Sequence, residues 1–192
     1  PVVMPVAYHQ YEDFKPAMID ISAFYNVILC PIEIDDTVSR DRYKNLPIGQ
    51  GVSAYLIAAA EAIKKGGIVA LSLQGGRKES LSEPTRALST LMVALHLHHV
   101  TNYAVHFAGI SPKPHVSADM YEGLSGWNIG MRYEVRPGET YTFDVLQERF
   151  NLTRPRNFVS VDALGISELA KVVQPSYVAS GREVALEQLA DL

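Results

Sequence analysis

Cysteine is nearly missing from this chain: Cys30 is the only one in 192 residues. A lone thiol excludes an internal disulfide framework and a four-thiolate zinc site, and it fits a reducing compartment. Positive charge is also scarce. Seventeen Lys and Arg stand against 21 Asp and Glu, for a net charge of −4. The basic residues are scattered as Lys64-Lys65, Arg77-Lys78 and Arg154/Arg156. That leaves no electrostatic footprint for nucleic acid or for an acidic membrane surface. No run approaches the roughly 20 apolar residues of a membrane span, and the start shows no basic-then-apolar secretory signal. An initial proline reads as a removed initiator methionine, so the expectation is synthesis in the cytoplasm. Strong catalytic signatures are missing as well. There is no G-x-S-x-G elbow, no H-E-x-x-H, no paired Cys-x-x-Cys and no glycine-rich phosphate signature.

What is present is an ordinary globular balance. The chain is 47% hydrophobic and 20% charged, enough to bury a real core. From about Gly67 to Asp162 the pattern alternates. Ile68 to Leu73 is a nearly unbroken apolar run, as expected of a central strand. Thr85 to His99 has helical spacing, with Ser82 as N-cap and Glu83 and Pro84 in the first turn. Tyr103 to Phe107 is strand-like. Trp127 to Val135 alternates at period two and is ended by Pro137-Gly138. Phe143 to Phe150 is a short helix capped by Thr142 or Asp144, and Asn157 to Val161 is a last strand. In order this is β-α-β-β-α-β, so the expected fold is α+β with a ferredoxin-like core.

Outside that core the expectation is looser. Residues 1–50 read as an arm with one or two strands or, equally, as an extra edge strand of the same sheet, 51–163 as the α/β core, and 164–192 as a helical tail. Pro5 confines the strand Val2 to Tyr8 to an edge. Ile19 to Ile34 is rich in β-branched and aromatic residues, and Pro31 caps it. Val52 to Lys65 is helical, with Ser53 as N-cap, Leu56, Ala59, Ala60 and Ile63 on one face, and Gly66-Gly67 as its stop. On the Thr85 helix, Leu88, Leu91, Met92, Leu95 and His99 make one face, while Val93 and Leu97 make a second apolar strip. Such a helix is covered by another layer or lies at a subunit contact. A surface loop is expected from Gly109 to Asp119.

Candidate chemistry is sparse. His96, His98 and His99 cluster at a helix end, with His106 or His115 as possible companions. A metal site needs a third ligand and a second shell that the sequence does not show. Histidines favoured by a helix C-terminus are the simpler account, so no metal and no cofactor are expected. Gln74-Gly75-Gly76-Arg77-Lys78 reads as a polar turn, with an anion site as the alternative. Tyr121, Glu122, Trp127 and Asn128 combine aromatic faces with a carboxylate, the materials of a small-ligand site. Local packing in a solvated loop is the other reading.

A resemblance enters with several of these stretches together. Leu71-Ser-Leu-Gln-Gly-Gly-Arg-Lys-Glu-Ser80 and the following Glu83-Pro-Thr-Arg86, then Met120-Tyr-Glu-Gly123, Arg132-Tyr-Glu-Val135, Leu146-Gln-Glu-Arg149 and Phe158-Val-Ser-Val-Asp162 resemble the phage-encoded S-adenosylmethionine lyases. The resemblance covers about residues 68–163. It implies a ferredoxin-like homo-oligomer that cleaves S-adenosylmethionine to methylthioadenosine and homoserine lactone in the host cytoplasm, starving restriction and methylation enzymes. Carried onto this chain, it makes Tyr121 and Glu122 catalytic. Ser72, Gln74, Gly75, Gly76, Arg86 and Trp127 become substrate-binding. Residues 123–130 contain no carboxylate, so Glu122 takes the place of the family's strand glutamate. The alternative is a non-enzymatic virion assembly protein, a tail terminator or neck component, that forms a ring with other virion proteins as partners.

Overall fold

Val2 to Ala7 is the apolar run on which the first part of the molecule is built. The computed structural model describes residues 1–33, 51–73, 85–113 and 132–172. The chain divides into two compact units, one of Pro1–Leu71 and Leu91–Thr101, the other of Ser72–Thr90 and Asn102–Leu192.

In the first unit β1 (Val2–Ala7) pairs in parallel with β2 (Val27–Ile32) along its whole length. On its other side β1 pairs, again in parallel, with β3 (Ile68–Val69). The order is therefore β2-β1-β3. Parallel neighbours require crossover connections, and helices supply them. Between β1 and β2 lie α1 (Tyr8–Asp13) and α2 (Lys15–Tyr25). Ahead of β3 lies α3 (Val52–Lys64), which buries Tyr55, Ala59, Ala60 and Ala62 and packs on all three strands. Val3 of β1 is fully buried.

Several expectations for residues 1–69 need correction. The region ahead of β2 is not strand: α2 occupies Lys15–Tyr25, with Pro16 in its first turn and Asn26 in a left-handed conformation at its end. β-branched content favoured strand there, but a parallel β1–β2 pair has to be bridged, and the helix does that. β1 is not an edge strand, since β2 and β3 flank it. Pro5 is tolerated because pairing with β3 ends at Val3↔Val69, so the missing N–H leaves no ladder gap on that side. Pro31 does not end its run; β2 continues to Ile32 as the outer strand. Regular pairing of β3 ends at Val69, although the Ala70 N–H still donates to the Val3 carbonyl at 2.9 Å. α3 begins after Gly51, not after Ser53. Gly51 has φ +82°, and a side chain there would run into the Pro31 carbonyl oxygen.

The division between the units runs through α4 (Ala87–Leu97). Its expected inner face is buried at Leu88, Leu91, Met92 and Leu95, while Leu97 of the second strip is 69% exposed. Ser82, Glu83 and Pro84 lie outside the described residues.

In the second unit β4 (Ala104–Lys113) pairs antiparallel with β5 (Arg132–Thr142). The strand expected at Tyr103 to Phe107 therefore runs on to Lys113, where a loop was expected. Pro137-Gly138 does not end β5 but sits beside an irregularity. Between the pairs His106↔Thr140 and Ala108↔Pro137, Phe107 alone faces Gly138 and Glu139. That extra residue is a β-bulge. It makes Glu139 and Thr140 both face outward and turns Tyr141 inward. α5 (Phe143–Phe150) stands where expected, capped by the Thr142 hydroxyl, which accepts from the Val145 N–H at 3.4 Å.

A short 3-10 turn, Pro155–Phe158, leads into α6 (Val159–Val172). The expected strand Asn157 to Val161 is thus helical. A short apolar run does not by periodicity distinguish a strand from a buried helix. Here residues 160–166 are buried without a break, the mark of a helix covered on every side. The described strands form two separate sheets, a parallel three-stranded and an antiparallel two-stranded one. Ile68–Val69 belongs to the first and residues 158–161 to neither. The chain is mixed α+β. No described helix is long and apolar enough to cross a membrane.

Candidate functional site

In the second unit the Thr85 hydroxyl donates to the Leu73 carbonyl oxygen. These residues are twelve apart, so the bond closes the two ends of the intervening segment into a neck. Ser72 and Arg86, both named from sequence as substrate-binding, flank that tie and are exposed.

Near the neck is a buried carboxylate. Asp162, in the first turn of α6, is 2% exposed. Its Oδ1 accepts the Ser89 N–H at 3.0 Å. Ser89 is the third residue of α4, so its N–H has no partner within the helix. Asp162 therefore caps α4 from another element, with its charge at the positive end of the helix dipole. The Ser89 hydroxyl donates to the Arg86 carbonyl at 3.2 Å, which fixes the backbone at Arg86. Burial pushes the Asp162 carboxyl above the ordinary carboxylate value; hydrogen bonds from Ser89 and Leu88 and the Arg86 charge oppose that rise. Its Oδ2 is buried with no partner. α6 crosses close to the neck at Gly165, where a Cβ would lie 2.7 Å from the Leu73 side chain.

A second carboxylate sits farther along α6. Glu168 is 3% exposed, and its Oε1 accepts from the Tyr141 hydroxyl at 2.9 Å and from Lys171 Nζ at 2.6 Å. The bulge in β5 is what brings Tyr141 to this side. Burial, then the bond to Glu168, raises the Tyr141 pKa. The bond to Glu168 raises that of Lys171. Neither group is primed as a nucleophile, and the trio reads as a polar clamp between α6 and β5.

Tyr121, Glu122 and Trp127 lie outside the described residues, as do Gln74, Gly75 and Gly76. Of the named set the structure describes Ser72 and Arg86, and it ties their chain neighbours Leu73 and Thr85 to each other. Among the described residues no group of three His, Cys, Asp or Glu side chains is placed to hold a metal. His99 takes a left-handed conformation, φ 56°, at the end of α4, and His106 pairs with Thr140 across the sheet at 2.7 Å. Asp162 was missed as a site residue. Its signal was a single carboxylate inside the apolar run Val161-Asp-Ala-Leu-Gly-Ile166, legible only once that run is helical.

Fold and site together define a mixed α+β protein in which the Thr85–Leu73 bond lies near a buried acid, Asp162. No protein family, no curated protein and no solved structure matches this chain.

Proposed function

We propose that this chain binds a small molecule at the Leu73–Thr85 neck and acts on S-adenosylmethionine as a lyase. The observation that carries the reading is the bond between Thr85 and Leu73, which Arg86 and Ser72 adjoin in the chain. A guanidinium there suits the methionine carboxylate of the substrate. That carboxylate attacks the carbon beside the sulfonium within the same molecule. The C–S bond breaks, the sulfonium leaves as the neutral thioether methylthioadenosine, and homoserine lactone remains. Backbone groups of Gln74 to Gly76 hold the adenosine end, Trp127 stacks on it, and Tyr121 and Glu122 orient the substrate and balance the sulfonium charge. These roles rest on the resemblance in sequence and on the neck. A ferredoxin-like core takes no part in them, because Ile68–Val69 and residues 158–161 do not share a sheet. Pure protein incubated with S-adenosylmethionine is expected to release methylthioadenosine, and Glu122→Gln and Arg86→Ala are expected to release far less. No product at micromolar enzyme overturns the reading.

A second reading, a phage tail-terminator or neck component assembled as a ring, is favoured by one observation. α2 leaves Ile19, Ile21, Phe24 and Tyr25 exposed. Native mass spectrometry showing a defined ring larger than a dimer, with no product from S-adenosylmethionine, would support it; a monomer counts against it.

A further inference from the structure

Helix α2 is composed like a buried helix and is not buried. Only Lys15, Asp20 and Ser22 of its eleven residues are polar, yet none of the eleven is buried. Phe24 is 82% exposed and Tyr25 65%, their rings already set edge to face at 4.9 Å. A helix apolar on all sides needs cover on all sides. α2 runs through Asn26 into β2 and packs on it. β2, Val-Ile-Leu-Cys-Pro-Ile, is uncharged and is the outer strand of its sheet. Among the described residues it pairs only with β1, and Ile28 is exposed. An apolar strand paired on one side is a template for another strand.

Charge selects the occupant. A helix that lies on a membrane carries rows of Lys and Arg on its polar face, whereas α2 has Lys15 alone. β2 has no charge with which to select a charged partner. A nearly neutral face made of an open strand edge and an apolar helix is complementary to itself. A two-fold axis normal to the sheet would set two β2 edges antiparallel and bring both α2 helices onto the same face of the joint. Such an interface is isologous and closes at two copies. We propose that β2 and α2 form a homodimer face on which a second copy of this chain joins two three-stranded sheets into one of six strands. The inference is independent of the lyase reading, and a closed dimer differs from the ring of the assembly reading.

The test is the mass of the full chain in solution, by light scattering and native mass spectrometry over a dilution series. Phe24→Asp and Ile28→Lys serve as variants, both at exposed positions, so circular dichroism is expected to show an unchanged fold. A dimer that each variant weakens by about tenfold or more supports the proposal. Ile28→Lys probes the strand edge even where Phe24→Asp fails to fold. A monomer at every concentration overturns it, as does a dimer that both variants leave intact, or a monomer that instead co-sediments with phosphatidylcholine vesicles.

Discussion

The two units solve the problem of packing helix on sheet in opposite ways. In the first, the buried residues of helix and strand are small and apolar, Ala59, Ala60 and Ala62 of α3 and Val3 of β1, and backbone approaches backbone at Gly51. In the second, α6 is sunk in the core and carries two carboxylates with it, Asp162 and Glu168, each fixed to a different element. An all-apolar contact specifies little about register, whereas a buried acid with one partner specifies its neighbour and is costly elsewhere. The second unit thus places individual atoms, which a site requires, and the first leaves an apolar flank uncovered.

The contrast can be broken most forcefully in the second core. Phe158 is 1% exposed where the 3-10 turn enters α6. Phe158→Ala is expected to cost about 3–5 kcal/mol in chemical denaturation; a loss below about 1 kcal/mol would mean that α6 is not the centre of its unit.

The two glycines sharpen the difference between backbone and side-chain contact. At Gly51 a Cβ meets a backbone oxygen and the φ is left-handed; at Gly165 it meets the movable end of Leu73. Gly51→Ala is expected to cost about 2–3 kcal/mol and Gly165→Ala about 1–2 kcal/mol. Thermal melts of the pair check the order, and the reverse order would show that the neck is the more rigid of the two.

pH separates the units next. The Asp162 pKa is raised above its ordinary 3.8 by burial. The folded state therefore holds that proton more tightly than the unfolded chain does. Its contribution is fully present below 3.8 and is lost as pH rises through the folded value. Asp162→Asn, which keeps an acceptor for the Ser89 N–H, is expected to flatten that part of the stability profile. An unchanged profile in urea titrations would show that Asp162 is not the group responsible.

The smallest effects concern two buried tyrosines, one in each unit. The Tyr55 and Tyr103 hydroxyls are buried without partners, and burial raises the pKa of both. Tyr55→Phe and Tyr103→Phe remove an unsatisfied polar atom, so each is expected to be neutral or to stabilise by up to about 1 kcal/mol. A clear loss in either would reveal a hydrogen bond at that hydroxyl.

Legibility followed the reach of the physics involved. α3 was read from Ala59 and Ala60 on one face and from the Lys64-Lys65-Gly66 stop. α4 was read from Leu88, Leu91, Met92 and Leu95, and α5 from the Thr142 cap. Those signals lie within a few residues of each other. Of the candidate site, Ser72 and Arg86 were named, and the bond that ties their chain neighbours was not. The Thr85–Leu73 bond spans twelve positions and leaves no periodic trace. Asp162 went unnamed as a site residue because its meaning depends on α4, 73 residues away.

The amino-acid order alone determined the helices with one apolar face, the scarcity of cations and thiols, and a chain of mixed α+β character. Hydrophobic period, capping and charge act over one or two turns, so they can be read from neighbours in the chain. Tertiary structure alone decided that Ile68–Val69 pairs with Val2–Val3, and that Val159 to Val161 opens a helix where a strand was expected. It also decided that Tyr141 faces Glu168. Strand partnership and the helical state of a short apolar run are settled by what covers them, and that cover comes from residues far away along the chain.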